Sequence, residues 1–143
     1  MTTPIIRPAD NAAMTWVRIC TLDQVPGNKA IGFTVNGQRM IVARCNDNNA
    51  QILQGLCSHM GVPLANAKVN NCEVTCWLHH STFNVTDGTV VAWSTFPPVV
   101  GPALAAIRKQ NALKTFETRV DDEGVWLLWP NKSDSAIDVQ ITL

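Results

Sequence analysis

"AIGFTVNGQRMIVAR", Ala30–Arg44, consists of two apolar runs separated by Asn36-Gly37. Asn and Gly both tolerate the positive φ needed by a two-residue turn between right-twisting strands. The stretch therefore predicts a β-hairpin pairing Ala30–Val35 with Gln38–Arg44. Upstream, "TWVRIC", Thr15–Cys20, is rich in strand formers and is stopped by Pro26 and Gly27. Downstream, a turn at Asn46–Asn49 leads into "AQILQGL", and "CEVTCW", "TFNV" and "TVVAW" follow, with Asp87-Gly88 turning between the last two. "LKTFETRV", Leu113–Val120, and "GVWLLW", Gly124–Trp129, predict a late hairpin across "DDEG", and "AIDVQITL" alternates again at the C-terminus. No window holds a helical period. The one helix-compatible piece is Pro102–Leu113, one short helix at most. Many short strands at close spacing predict an all-β antiparallel sandwich or barrel.

At 143 residues the chain is long enough for one domain with one core. That core is expected over residues 15–130, with extensions at 1–14 and 131–143. Lys+Arg and Asp+Glu are both 11, so there is no basic excess of the kind that marks a nucleic-acid binder. No apolar run approaches the ~18 residues of a membrane span, and the N-terminus has no signal-peptide pattern. The expected setting is cytoplasmic. Five cysteines, an odd number, then argue against a disulfide framework and for reduced thiols, some of them metal ligands.

All three histidines fall in two stretches, "CSHMG" at Cys57–Gly61 and "CWLHHSTF" at Cys76–Phe83. The pattern is C-x-H (Cys57, His59), 16 intervening residues, then C-x2-H (Cys76, His79). A lone cysteine is commonly a small buried hydrophobe, and a lone histidine is more often structural than a ligand. Coincidence explains matched pairs poorly. Two metal readings follow. A zinc with two Cys and two His would be tetrahedral, but zinc modules usually pair like with like at short spacing. A [2Fe–2S] cluster of Rieske type has two thiolates on one iron and two histidines on the other, so each loop supplies one ligand to each iron.

Here the sequence resembles the Rieske family. "CSHMG" and "CWLHHSTFNVTDG" match its two cluster-binding loops in order and spacing. "WVRICTLDQVPGN" resembles its opening strand and turn, "TFPPVVGPAL" its proline loop, and "LKTFETRVDDEGVWLL" its closing hairpin. The resemblance implies a Rieske-like antiparallel β-sandwich or barrel with a smaller cluster-binding subdomain, about residues 56–95, made of two Cys/His loops and a proline loop. It implies that Cys57 and Cys76 bind the inner iron, and that His59 and His79 bind the outer one. Two positions depart from the family: Trp77 stands where proline is frequent, and His80 where glycine is common. Glycine there would mark a positive φ, which His tolerates better than most residues; His80 is also a rival ligand. The loop positions of the disulfide of membrane-complex relatives are Val62 and Leu78, which cannot bridge. Cys20, Cys45 and Cys72 are expected to be free thiols.

Replacing two thiolates by neutral imidazoles makes the cluster easier to reduce, giving potentials of roughly −150 to +300 mV. Hydrogen bonds to the sulfurs set the place within that span. High-potential relatives carry a serine and a tyrosine two and four residues past the second histidine. Here these are Ser81, a candidate donor to the cluster that could equally face solvent, and Phe83. The expected potential lies toward the low end.

The family resemblance implies a soluble electron carrier of a multicomponent oxygenase acting on aromatic or other hydrocarbons. It would pass electrons from a flavin-dependent reductase to a terminal, ring-hydroxylating oxygenase. Docking would be transient, at the cluster tip near Met60, Val62, Pro97 and Pro98. The alternatives are a tightly bound Rieske subunit of another oxidoreductase, as in nitrite reductases or arsenite oxidases, and a zinc-stabilised binding module. Catalysis by the chain itself is not expected. Mononuclear iron needs two histidines and a carboxylate, and only His80 would remain.

Overall fold

The computed structural model describes residues 5–9, 13–58, 61–78, 80–93, 112–130, 137 and 139–142. The strands are β1 (Ile6–Pro8), β2 (Met14–Cys20), β3 (Ile31–Val35), β4 (Gln38–Asn46), β5 (Asn49–Gln54), β6 (Lys68–Asn70), β7 (Glu73–Thr75), β8 (Thr82–Asn84), β9 (Val90–Ala92), β10 (Thr115–Phe116), β11 (Thr118–Asp121), β12 (Gly124–Pro130) and β13 (Val139–Thr142). Among the described residues the one helical element is a 3-10 turn, Leu22–Gln24. The helix-compatible stretch at 102–113 lies almost wholly outside the described residues.

The strands form three antiparallel sheets, ordered β1-β2-β12-β11, β10-β5-β4-β3-β13 and β6-β7-β8-β9. The hairpin expected at Asn36-Gly37 is present. Both residues have positive φ, 50° and 82°, and Val35 pairs with Gln38. The five-stranded sheet is buried on both faces, which is why β4 reads as an unbroken apolar run rather than an alternation. Its Met40 and Val42 join Val17, Phe33, Ile52 and Leu127 in one core. The intervening Ile41 and Ala43 join Leu64, Val74, Phe83 and Trp93 in a second. The period of two along β4 and β5 thus serves two cores at once. The second core underlies β6–β9, the sheet that carries the Cys/His loops.

Each terminal stretch supplies an edge strand. β1 pairs with β2 (Arg7↔Trp16), and β13 pairs with β3 (Ile141↔Phe33). The Arg7 guanidinium lies 4.3 Å from the ring centroid of buried Trp126 and bonds Asp121 Oδ2 at 3.3 Å. Trp126 Nε1 donates to Asp121 Oδ1 at 2.9 Å. Burial raises the Asp121 carboxyl, but donation from Trp126 and from the Glu123 backbone, the charge of Arg7 and donation from the Gly124 backbone hold it below its ordinary 3.8. Its contribution to stability is therefore present above the unfolded carboxyl pKa, about 4, and is lost as pH falls through the lower folded value. Arg7→Ala is expected to remove ~1 kcal/mol, mainly from the ring contact, since its ion pairs are half-exposed. A melting point lowered by about 2–4 °C at pH 7 checks this.

Candidate metal centre

Both cysteine loops hang from the second core, and both are closed in the same way. In the first, Cys57 N donates to Val62 O (2.8 Å) and Gly61 N to Cys57 O (2.7 Å). In the second, Cys76 N donates to Ser81 O (2.8 Å) and His80 N to Cys76 O (3.1 Å). The offsets are identical: each cysteine carbonyl receives the N–H four residues on, and each cysteine N–H reaches the carbonyl five residues on. The fourth residue has positive φ in both, 71° at Gly61 and 56° at His80. His80 thus occupies the turn position that glycine occupies in the first loop.

The surroundings hold the two knuckles in place. The first loop springs from β5 through Gly55, whose added Cβ would come 2.7 Å from the Arg39 and Met40 backbone. Leu56 bridges to Pro63, and Leu64 N donates to Gly55 O. β7 and β8 frame the second loop, with Thr75 and Thr82 hydroxyls 3.2 Å apart. Trp77 Nε1 crosses from the second loop to Pro63 O of the first at 3.2 Å. Val62 and Leu78, where membrane-complex relatives bridge, pack half-buried against the second core. Side-chain packing and one indole bond thus tie the loops without a covalent link at these positions.

Cys57 and Cys76 are each 2% exposed and belong to the same buried cluster. Ser81 is fully buried, so it is not a solvent-facing loop residue. Phe83, in place of the tyrosine, is also buried and meets Trp93 edge-to-face at 6.3 Å. His59, Met60 and His79, and the proline loop with Pro97 and Pro98, lie outside the described residues. Two buried thiols in matched, backbone-fixed loops fit the sulfur half of such a cluster.

A Rieske [2Fe-2S] domain model matches residues 15–117. The chain belongs to the Rieske [2Fe–2S] domain family. Its cofactor is a Rieske-type [2Fe–2S] cluster, and its chemistry is one-electron transfer. The zinc alternative falls away with this. Among solved structures, this Rieske chain is similar to the ferredoxin of carbazole 1,9a-dioxygenase from Nocardioides aromaticivorans IC177. The identity is 24%, covering 91% of this chain and 100% of that one, with a TM-score of 0.59. It also resembles Sphingomonas yanoikuyae B1 ferredoxin (17% identity, 80% and 97% covered, TM-score 0.59). A third similar structure is a putative NADH-dependent nitrite reductase small subunit from Mycobacterium tuberculosis (13% identity, 83% and 98% covered, TM-score 0.61). No curated protein sequence matches significantly. No helix among the described residues is long and apolar enough to cross a membrane.

One expectation from the sequence is overturned. Cys45 and Cys72 are not free thiols but form a disulfide, across 27 residues of chain. Parity of the cysteine count cannot reveal such a pair, because an odd count leaves room for one: Cys20, Cys57 and Cys76, all buried, lie outside the disulfide. Burial pushes the Cys20 thiol up to about 11, with Arg18 pulling weakly the other way, so this residue is an inert core thiol. The other features missed from sequence are the Trp77–Pro63 bond and the shared loop closure.

Proposed function

We propose that the chain is a soluble, cytoplasmic one-electron carrier, taking electrons from a flavin-dependent reductase and delivering them to a terminal, ring-hydroxylating oxygenase. When bound, the [2Fe–2S] group supplies a site that accepts and returns one electron. In this reading Cys57 and Cys76 hold it on the buried side, His59 and His79 on the outer side, and the Ser81 hydroxyl donates to sulfur. The observation that carries the proposal is the rim beside the two loops. Trp77 is 58% exposed and Leu56 37%, next to two deeply buried thiols. A small apolar rim of this kind suits a brief encounter rather than a permanent interface. Support also comes from a similar structure described as a complex of reduced oxygenase and oxidised ferredoxin in carbazole 1,9a-dioxygenase.

The test is reconstitution with flavin-dependent reductases and terminal ring-hydroxylating oxygenases. Single-turnover reduction of the oxygenase by the reduced chain is the expected result. Failure of electrons to pass in any combination contradicts it. Trp77→Ala should slow transfer about tenfold or more at limiting protein, as loss of an aromatic anchor does, with the midpoint potential unchanged.

The potential itself is expected toward the low end of the roughly −150 to +300 mV span. The Ser81 hydroxyl can donate to the cluster, whereas Phe83 cannot. Phe83→Tyr should raise the midpoint and Ser81→Ala lower it, because each donor favours the more negative, reduced form. Protein-film voltammetry checks both. A wild-type midpoint above about +200 mV would contradict the assignment.

The second reading is an electron-transfer subunit held in a larger complex, favoured by the nitrite reductase likeness. β1 and β13 are sheet-edge strands with Ile5, Ile6 and Ile141 exposed, a surface suited to strand addition. Gel filtration separates the readings: a monodisperse monomer supports the carrier, and insolubility without a partner supports the subunit.

A further inference from the structure

Two unusual backbone features converge on the Cys45–Cys72 disulfide. Cys45 is the extra residue of a β-bulge, where the register of β4 against β5 slips between Arg44↔Ala50 and Asn46↔Asn49. A bulge re-aims the side chain it carries. Cys72 is the second residue of the two-residue turn joining β6 to β7, and Asn71 and Cys72 both have positive φ, 51° and 64°. Glycine is the ordinary occupant of that second position, so a cysteine there carries a conformational cost. The bulge places one sulfur and the left-handed turn places the other. Both residues are half-buried, and both line a surface recess of about 230 Å3 together with Gly27, Arg44, Asp47 and Val69. The Thr86 hydroxyl stands 3.2 Å from Cys72 Sγ and 3.6 Å from Cys45 Sγ.

The bond also has a distinctive place in the fold. It ties the centre sheet, through β4, to the hairpin that runs into the second cluster loop. Only β7, Glu73–Thr75, separates Cys72 from Cys76. It joins positions other than Val62 and Leu78.

We propose that Cys45–Cys72 is a thiol–disulfide exchange site that clamps the second cluster loop and is opened by a dithiol reductant. A thiolate of the dithiol enters the recess and attacks Cys45 Sγ, forming a mixed disulfide and breaking the Cys45–Cys72 bond. Cys72 leaves as a thiolate, to which the Thr86 hydroxyl donates, and then takes a proton from water. The second thiol of the reductant attacks the mixed disulfide, loses its proton to solvent and releases Cys45, which is protonated in turn. In net terms two electrons and two protons pass to the protein, and the reductant becomes a disulfide. Opening frees the β6–β7 hairpin from β4, so the cluster leaves more readily. The reverse exchange, with an oxidised dithiol, closes the clamp.

The experiment uses the cluster-loaded protein with dithiothreitol in native buffer, followed by alkylation and peptide mass analysis. The expected result is alkylation of Cys45 and Cys72 while the visible absorbance of the cluster persists. After desalting, the reduced protein should lose that absorbance to a chelator severalfold faster than the oxidised one. The doubly substituted C45S/C72S protein should lose it at the fast rate with or without prior dithiol. Thr86→Val should slow reduction roughly tenfold, the effect of one hydrogen bond to a charged group. Labelling that appears only after the cluster is lost or the chain unfolds would overturn the proposal. So would reduction with no change in the rate of cluster loss.

Discussion

His79→Ala is expected to give a protein without visible absorbance or iron, while His80→Gly keeps both. The two histidines are adjacent, and C-x2-H spacing alone does not silence the second. The backbone separates them. His80 N–H is committed to the Cys76 carbonyl at 3.1 Å, and its φ of 56° places it where Gly61 sits in the first loop. A residue in that position turns the chain. In both loops the proposed ligand precedes it, His59 two residues before Gly61 and His79 one residue before His80. Glycine at 80 relieves the cost of a Cβ at positive φ, about 1 kcal/mol, so His80→Gly should fold at least as well as wild type. Iron analysis and absorbance of both purified variants decide it. Retention in the first and loss in the second would reverse the assignment.

Gly88→Ala is expected to be the most damaging small substitution outside the ligands. Gly88 closes the turn after β8, with its N–H on Asn84 O at 2.7 Å, and its φ is 75°. Leu113 N donates to Gly88 O at 2.8 Å, where the chain returns beside the cluster sheet. A Cβ built on Gly88 would lie 2.0 Å from the Leu113 carbonyl oxygen. The colliding atom is backbone, so the cross-connection must open. That strands Leu113, a fully buried member of the second core. The loss should exceed about 3 kcal/mol, in the range reserved for buried clashes and backbone strain. Denaturant unfolding and cluster retention measure it. Wild-type stability would show that the turn does not cross Leu113 this closely.

The hairpins were legible because their turns are local. Asn36-Gly37 and the Asp121–Gly124 stretch specify their pairings within a few residues. The family and its cofactor were legible for a different reason. Two thiols and two imidazoles in matched pairs are a chemical pattern that survives without coordinates. The β6–β7 hairpin was missed because its turn residues, Asn71-Cys72, lack the glycine that advertises such a turn. The disulfide was missed for a deeper reason. It depends on a bulge in β4, a left-handed turn and the contact of two sheets, and none of these is encoded in cysteine spacing. Ser81 was equally indeterminate. Its burial follows from Cys76 N–H drawing its carbonyl inward and from Phe83 entering the core two residues on.

Pulsed electron paramagnetic resonance on the reduced protein tests the central claim most directly. The account predicts strong hyperfine couplings from two imidazole nitrogens on a [2Fe–2S] centre. A spectrum without nitrogen coupling, or a colourless protein that gives no signal on reduction, would contradict it.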